Sequence, residues 1–168
     1  MELVNRVASS GLVTLNLEEY FPKADMVVFD LKNYLFMELI LKEKDFREAL
    51  TTHDWSQYDQ KILLVYCSAD AIIPVWAYML VSAYAQSYAL DIFQGDQEAY
   101  IKAHYYHVLS NLDLQRYEDQ RIVIKGCSEK PVPAAAYLDL TKRLRPLVKS
   151  IMYGEPCSTV PVFKKPKP

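Results

Sequence analysis

An internal repeat constrains the fold of this chain more than any other feature of its sequence. The stretch DWSQYDQKILLVYCS begins at Asp54, and a similar stretch, DLQRYEDQRIVIKGCS, begins at Asp113 and is one residue longer. Further along, PVWAYML from Pro74 matches PAAAYLDL from Pro133, one residue out of step with the first match. Ordered matches of this kind predict a structural unit of about 60 residues that occurs twice.

Each copy alternates stretches typical of strands with stretches typical of helices. MVVFDL opens the first copy and YALDIF the second, and both are short, apolar and rich in strand-forming residues. Helical stretches follow at 41–52 and 97–110, and then come the apolar runs KILLVY and RIVIKG, which are typical of strands covered on both faces. A second helix is predicted to begin in each copy near its proline, Pro74 or Pro133, and the later helix to reach about residue 152.

This order of elements predicts an α/β fold, with a single domain built from two β-α-β-α repeats around a central, mostly parallel sheet. Repeat one is expected over 24–87, repeat two over 88–152, and an extended C-terminal tail over 153–168, where prolines are frequent. At 168 residues, of which 51% are hydrophobic, the chain is long and apolar enough for one domain with a substantial core.

Charge and hydropathy exclude two classes of partner. The formal net charge of −2 argues against a general nucleic-acid-binding protein, which would carry a basic excess. The longest apolar run, from Ala71 to Ala85, is interrupted by Pro74 and is shorter than the roughly 20 residues that span a bilayer. The first residues, MELVNRVASSGLV, lack an apolar core of signal-peptide length. We therefore expect a cytoplasmic protein that binds neither nucleic acid nor membrane.

The chain has three cysteines, and each is followed by serine and, shortly afterwards, by proline. Cys67 and Cys127 occupy matching places in the aligned repeats, after a predicted strand and before a predicted helix. Ligands of open α/β sheets bind outside the carboxyl ends of the strands, and a nearby helix N-terminus favours the thiolate form of cysteine. If the tail brings Cys157 to the same place, the three thiolates form a metal site that holds an iron–sulfur cluster or zinc.

Polar residues beside the cysteines are predicted to support such a site. Their hydroxyl groups can hydrogen-bond a sulfur or cap the following turn, and their carboxylates can position a ligand. These supporting residues are Ser68, Ser128, Ser158, Asp70 and Glu129.

The same residues allow other interpretations. Three cysteines do not make a disulfide framework, and no C-x-x-C pair is present to favour a metal on local spacing. Cys127 or Cys67 is alternatively the reactive thiol of an enzyme or a sulfur carrier. Both also fit small buried core residues inherited with the repeat, in which case the chain is a protein-interaction module with structural cysteines. No catalytic residue is identified from the sequence.

Distinctive segments run through nearly the whole chain: VNRVASSGLVTLNLEEY, HDWSQY, CSADAIIPVWAYML, IKGCSEKPVP and RLRPLVKSIMYGEPCSTVP. With these segments the chain resembles the bacterial family named domain of unknown function 2480. The resemblance implies no reaction, because the family has no assigned one. Members are encoded near iron–sulfur cluster assembly genes, so the resemblance implies an accessory role in cluster assembly, with iron–sulfur assembly proteins as partners. More loosely, the segment from Cys127 to Leu144 is similar to the strand–cysteine–helix element of small sulfur carriers, with Ser128 in place of their first proline.

Overall fold

The structure is a computed structural model that describes residues 11–126, 129–155 and 157–166. Its strands are β1 (Leu12–Asn16), β2 (Met26–Asp30), β3 (Ile62–Tyr66), β4 (Asp91–Gln94), β5 (Arg121–Lys125), β6 (Ser150–Glu155) and β7 (Ser158–Lys164). Its α-helices are α1 (Glu43–Thr52), α2 (Val75–Ala85), α3 (Gln97–Ser110) and α4 (Ala134–Leu144). In the described ranges, no helix has the length and apolar character needed to cross a membrane.

The strands form two sheets, and the chain divides into two compact units. The central unit, Lys23–Tyr100, contains a parallel sheet in the order β2-β3-β4. The terminal unit comprises the described residues of Met1–Pro22 and Ile101–Pro168, and its sheet has the order β1-β5-β6-β7. In that sheet β1, β5 and β6 are parallel, whereas β7 is antiparallel to β6. The predicted α/β class is confirmed, but the strands lie in two sheets, so the prediction of one central sheet is wrong.

Most of the predicted elements occur where they were expected, with two exceptions. The helix that starts at Ala134 ends at Leu144 and does not reach residue 152, because the chain continues into β6. Gly154, which looks like a helix stop in the sequence, lies inside β6 with a φ of 116°. The predicted tail contains the strand β7, Ser158–Lys164, which finds backbone hydrogen-bond partners along β6.

The two units share one order of elements. The central unit reads β2, α1, β3, α2, β4, and the terminal unit reads β1, α3, β5, α4, β6, with β7 added at the end. A single 3-10 turn follows the first strand of each unit, at Leu31–Tyr34 and at Leu17–Tyr20. β1 is the first strand of the terminal unit, and it was not predicted from the sequence. The duplication and its bounds, 24–87 and 88–152, stay predictions, because the units are defined by packing and not by descent.

The spacing between corresponding elements is constant from the second strand onwards. β5 begins 59 residues after β3 (121 minus 62), and α4 and β6 begin the same distance after α2 and β4. Strand pairing gives the same shift, since Ile62 pairs with the first residue of β2 and Arg121 with the first residue of β1. Gln60 and Asp119, which stand in the turns before these strands, have matching φ values of 56° and 54°. Over these elements a residue and its counterpart are therefore 59 positions apart, although α3 begins only 54 residues after α1 (97 minus 43).

The helices of the central unit both cover the same face of its sheet. Phe46 and Leu50 of α1 and Val81 of α2 belong to one buried cluster with Phe29 of β2 and Leu63 of β3. Because its strands lie in sequential order and both helices cover one face, this sheet has no point at which the strand order reverses. Ligand crevices in open α/β sheets form at such a reversal. The general argument for a ligand site at the strand ends therefore does not apply to this sheet, and any site here has to be argued from its own residues.

Candidate functional site

The loop after β3 begins with Cys67 and Ser68, and an aspartate at the end of β2 holds it in place. The Ser68 hydroxyl donates a hydrogen bond to Asp30 Oδ2 at 2.5 Å, and the Ser68 amide donates to Oδ1 at 3.0 Å. The amide of Lys32 donates to the same Oδ1 at 2.9 Å, so Asp30 also caps the 3-10 turn after β2. The predicted supporting residue Ser68 thus bonds a carboxylate, and its role is to join two strand ends.

The hydrogen bonds to Asp30 determine the ionisation of its carboxyl group. Burial by itself would raise the pKa of Asp30, but the two hydrogen bonds from Ser68 and the one from Lys32 favour the charged form. The positive charge of Lys32 acts in the same direction, and the net effect is a pKa below the usual range. The carboxylate is therefore a structural anion at neutral pH.

Cys67 is half-buried and packs against the core cluster of the central unit. Tyr78 of α2 packs against the same cluster, and burial first and then the nearby Cys67 raise the pKa of its hydroxyl. With the constant shift of 59, the counterparts of Cys67 and Tyr78 are Gly126 and Tyr137. A Cβ atom on Gly126 would lie 2.5 Å from the Tyr137 hydroxyl oxygen, so the tyrosine of the terminal unit fills the space that a side chain at this position needs.

The strand register bears on the predicted match between the cysteines. Continued past β3 and β5, it makes Gly126 the counterpart of Cys67, whereas the sequence alignment paired Cys67 with Cys127. Cys127 lies outside the described residues, so that match stays a prediction. The sequence alignment placed its one-residue gap before the strand and so matched the two Cys-Ser pairs by residue type. Strand register is decided by backbone pairing and by which side chains face the core, and it needs no gap.

The predicted metal ligands lie in both units. Cys67 belongs to the central unit, and Cys157 is exposed directly before β7 in the terminal unit. Cys127 and Ser128 lie outside the described residues. In the part of the chain that the structure describes, no group of three or more histidine, cysteine, aspartate or glutamate side chains is placed to hold a metal ion. The three-cysteine site stays a prediction.

The other supporting residues are found on exposed loops and turns. Asp70 is exposed in the loop after β3, and Ser158 is the exposed first residue of β7. Glu129 is exposed and contributes its backbone, whose amide donates a hydrogen bond to Glu18 Oε1 at 3.0 Å. This bond resembles the one between Ser68 and Asp30. In both units, a carboxylate at or just after the end of the first strand accepts a hydrogen bond from a backbone amide in the loop after the second strand.

Each unit has an apolar groove between its second helix and its last parallel strand. The central groove has a volume of about 500 Å³ and the terminal groove about 380 Å³. Six lining positions are counterparts, 59 residues apart: Val65 and Ile124, Tyr78 and Tyr137, Ser82 and Thr141, Ile92 and Ile151, Phe93 and Met152, and Gln94 and Tyr153. Val162 of β7 also lines the terminal groove, whereas the central groove has no strand at that side among the described residues.

Exposed apolar side chains are concentrated in two loops of the central unit and the helix that follows. After β2, the tight turn at 36–40 exposes Met37 at 75% and Leu39 at 64%. After β3, Ile72 is 93% exposed. Val75 and Met79 at the start of α2 are exposed as well. A solvent-facing group of large apolar side chains on an otherwise well-packed unit is typical of an interaction surface.

The turn at 36–40 is closed by backbone hydrogen bonds and carries backbone strain. Phe36 N donates to Ile40 O at 2.7 Å, and Ile40 N donates back to Phe36 O at 3.2 Å. The two central residues, Met37 and Glu38, have φ values of 50° and 59°. Asparagine and glycine are the residues favoured in turns of this shape, and a bulky residue with positive φ costs about 1 kcal/mol. Here the strained residue is a methionine whose side chain faces solvent.

A polar network inside the central unit was not anticipated from the sequence. His53 lies between two tyrosines, with Nε2 2.9 Å from the Tyr58 hydroxyl and Nδ1 3.4 Å from the Tyr34 hydroxyl. Its ring also stacks on Tyr58 and meets Trp55 edge to face. Burial lowers the pKa of His53, which the nearby Asp54 partly offsets, and burial together with Tyr34 and Asp54 raises the pKa of Tyr58 to about 12. The stretch THDWSQY was the only signal for this cluster.

The geometry thus defines an α/β protein with two similar units, each with three parallel strands, and with exposed apolar loops in the central unit. The family model described as "Protein of unknown function (DUF2480)" matches residues 1–165, and the chain belongs to this family. No curated protein and no solved structure matches the chain. The family assignment predicted from the quoted segments is confirmed, and it assigns no reaction.

Proposed function

We propose that this chain is a non-enzymatic accessory protein that binds another protein through the exposed apolar loops of its central unit. The observation that carries the proposal is the strained turn at 36–40, which holds Met37 in solvent at 75% exposure. Strained backbone persists where the surrounding structure or a function retains it. A methionine side chain adapts to irregular apolar partners, which makes it frequent on binding surfaces.

The second apolar loop supports the same conclusion. Ile72 is 93% exposed in the loop after β3, and Val75 and Met79 of α2 follow it at 75% and 67%. The hydrogen bonds from Ser68 to Asp30 tie the base of this loop to the end of β2. A pre-organised loop loses less conformational entropy on binding than a mobile one, so these bonds contribute to affinity as well as to stability.

The resemblance to the family supports one class of partner. Members of the family are often encoded near iron–sulfur cluster assembly genes, so we propose cytoplasmic iron–sulfur assembly proteins as the partners. On this proposal Cys67 is a structural residue, because it is half-buried against the core cluster and its neighbour Ser68 bonds Asp30.

The test replaces the apolar turn with residues that suit its backbone better. The double variant Met37→Asn, Glu38→Gly removes the exposed methionine and relieves two positive φ values. We expect it to be at least as stable as the native chain while its affinity for the partner falls by about tenfold or more. Binding is measured by titration against each purified iron–sulfur assembly protein from the same organism.

A matched control uses another strained turn. Gln60 has a φ of 56° in the turn before β3, outside the apolar turn at 36–40, and Gln60→Gly should stabilise the chain without changing partner affinity. If both variants bind as the native chain does, the apolar turn is not the interaction surface. Self-association that the Met37 variant abolishes would replace the proposed partner with a second copy of the chain.

The cysteine hypotheses stay proposals beside this one. A metal site of Cys67, Cys127 and Cys157 predicts brown, iron-containing or zinc-containing protein after purification without oxygen, and single serine variants should each release the metal. A thiol enzyme or sulfur carrier predicts one thiol, that of Cys67 or Cys127, that alkylates rapidly at neutral pH. Metal-free protein would remove the first hypothesis. Slow alkylation of both thiols until denaturant is added would remove the second.

A further inference from the structure

The sheet edge formed by β4 is the place where the two units differ most. In the terminal unit the corresponding strand, β6, pairs with β5 on one side and with β7 on the other. In the central unit β4 pairs with β3, and no described strand lies along its other edge. An unpaired strand edge presents a row of backbone donors and acceptors that can pair with another extended chain.

The backbone of β4 is arranged like that of β6. Leu90 N donates to Lys61 O at 2.8 Å, and its counterpart Lys149 N donates to Gln120 O at the same distance. Alternate residues of a strand face the same neighbour, so Asp91 and Phe93 direct their backbone groups outward, as their counterparts in β6 do toward β7. The outer edge of β4 therefore has the hydrogen-bonding pattern that β6 uses to hold an antiparallel strand.

The groove beside this edge also corresponds to one that a strand covers. In the terminal unit, Val162 of β7 lines the groove together with Tyr137 and Ile151. In the central unit the counterparts Tyr78 and Ile92 line a groove of about 500 Å³, larger than the terminal one of about 380 Å³. An apolar side chain from a strand paired with β4 would occupy the position that Val162 has in the terminal unit.

The charged residues at the amino end of the central sheet indicate a second property of a strand that would pair with β4. Asp25, Asp59 and Asp91 are exposed close to the starts of β2, β3 and β4. Two cations, Lys23 and Lys61, stand near these aspartates in the sequence. Lys61 Nζ donates to Gln57 O at 2.8 Å, and Asp91 Oδ2 accepts a hydrogen bond from the Tyr100 hydroxyl at 3.0 Å. In the terminal unit β7 ends in Lys164, and the next residue, Lys165, lies 3.7 Å from Asp119. An antiparallel strand on β4 would likewise end at the acidic side, where a basic residue is favoured.

We propose that the outer edge of β4 and its groove bind an extended segment of a partner protein, antiparallel to β4, with an apolar side chain in the groove and a basic residue at the carboxyl end. The occupant is a segment of another protein, because the β7 strand of a second copy is already paired with its own β6. This inference rests on the proposed function and adds the kind of partner segment and its mode of binding, which is strand addition.

The test uses the β7 sequence itself as the probe. A labelled synthetic peptide of residues 158–165, STVPVFKK, is titrated against the full chain, and binding is followed by fluorescence polarisation. We expect saturable binding that weakens with added salt and that falls by about tenfold or more when the peptide carries Lys164→Glu and Lys165→Glu. No saturable binding up to about 1 mM peptide, the weak limit of specific recognition, would overturn the proposal.

A pair of counterpart variants identifies which groove binds the peptide. Ala83 is exposed and lines the central groove, and Ala83→Trp should fill it and abolish peptide binding. Its counterpart in the terminal unit is Lys142, which is also exposed, and Lys142→Trp should leave binding unchanged. Loss with Lys142→Trp alone would show exchange of the peptide into the β6 edge and would overturn the assignment to β4.

The peptide also tests strand pairing without changing the protein, so the result does not depend on whether Ala83→Trp folds. Two peptides are N-methylated at adjacent residues, one at Thr159 and the other at Val160, which lie on the same side of the bulge in the β6–β7 pairing. Strand addition predicts that only one of them loses binding, because adjacent amides of a strand face opposite sides. Equal binding by both would overturn the proposal.

The two proposals fail in different experiments. The Met37→Asn, Glu38→Gly variant should still bind the β7 peptide, because the turn at 36–40 is not part of the groove. If peptide binding fails while the turn variant still weakens partner binding, strand addition is wrong and the proposed function stands. If the peptide binds but neither the turn variant nor Ala83→Trp affects partner binding, both proposals are wrong for that partner.

Discussion

The central and terminal units follow one plan and differ in how each is completed. Both have three parallel strands in sequential order, a 3-10 turn after the first strand, and an apolar groove between the second helix and the last parallel strand. The terminal unit adds β7, which covers the edge of β6. The central unit leaves the edge of β4 without a described partner and exposes Met37 and Ile72. The two units therefore share one arrangement of strands and helices. In the terminal unit β7 covers the strand edge that has no described partner in the central unit.

The interiors differ as well. The central unit encloses stacked aromatic rings, with Phe29 5.6 Å from Trp55 and Trp55 5.4 Å from Tyr84 between ring centroids. The counterpart of Trp55 in the terminal unit is Leu114, which is equally buried. Four experiments with single substitutions test whether these differences have energetic consequences, from the largest expected effect to the smallest.

The largest effect is expected at Trp55. Trp55→Ala should lower the free energy of unfolding by about 4 kcal/mol, because it removes the aromatic stack and the hydrogen bond from Trp55 Nε1 to Leu50 O at 2.9 Å. Leu114→Ala should cost less, about 2.5 kcal/mol, since it removes a smaller side chain. Urea denaturation followed by circular dichroism measures both. A larger loss for Leu114 would mean that the terminal unit limits the stability of the chain.

The second test exchanges the counterparts at the end of the second strand. Gly126→Ala places a Cβ atom 2.5 Å from the Tyr137 hydroxyl oxygen and should cost about 2 kcal/mol, because the ring must shift. Cys67→Ala removes one sulfur from a half-buried site and should cost about 1 kcal/mol. Thermal unfolding of the two variants compares them. If Gly126→Ala left the melting temperature unchanged, Tyr137 would move freely. That result would contradict the proposed equivalence of Gly126 and Cys67.

A smaller, pH-dependent effect is expected at Ser68. Ser68→Ala removes the hydroxyl bond to Asp30 and should cost about 1 kcal/mol at pH 7, allowing for solvent exposure. The pKa of Asp30 is lowered in the folded chain, so this stabilisation is present above the ordinary carboxyl range and is lost as the pH falls through the folded pKa. Urea titrations from pH 7 to pH 3 should show the two proteins converging. A difference that persists at low pH would mean that the carboxylate charge is not the cause.

The smallest effect is expected at His53. Its pKa is lowered by burial, so the neutral ring is favoured in the folded chain, and stability should fall as the pH drops below the unfolded value of about 6.5. With solvent screening the change amounts to about 0.5 kcal/mol. His53→Gln should flatten the stability profile between pH 7 and pH 5. The counterpart of His53 in the terminal unit is Leu112, which does not titrate. If His53→Gln kept the same dependence of unfolding free energy on pH as the native chain, other groups would be its cause.

Sequence pattern predicted the parts of the fold that depend on local preferences. The apolar runs that became β3 and β5 and the helical stretch that became α3 were recognised because strand and helix preferences act over a few residues. The stretch after Arg145 was misassigned, because Leu147, Val148 and Ile151 continue a helical spacing from α4. There the next residues pair with β5 and form β6, since long-range pairing overrides local periodicity.

The candidate site was less accessible from the sequence. Cys67, Ser68 and Asp70 were placed at a strand end, which is where they lie, but the hydrogen bonds from Ser68 to Asp30 join residues 38 positions apart. Nothing in the sequence indicated that Asp30 was the partner. The cysteines were matched by residue type, whereas the strand register matches Cys67 with Gly126. Residue identity is a weak guide when backbone pairing sets the correspondence.

The sequence by itself determined the family and the α/β class, because these depend on segment identity and on short-range patterns of apolar residues. Tertiary structure decided that the strands divide into two sheets, that residues 158–164 pair with β6, and that no described strand covers the outer edge of β4. The physical reason is that strand pairing joins residues far apart in the chain. Whether an edge is covered depends on which distant segment reaches it, and no local pattern records that outcome.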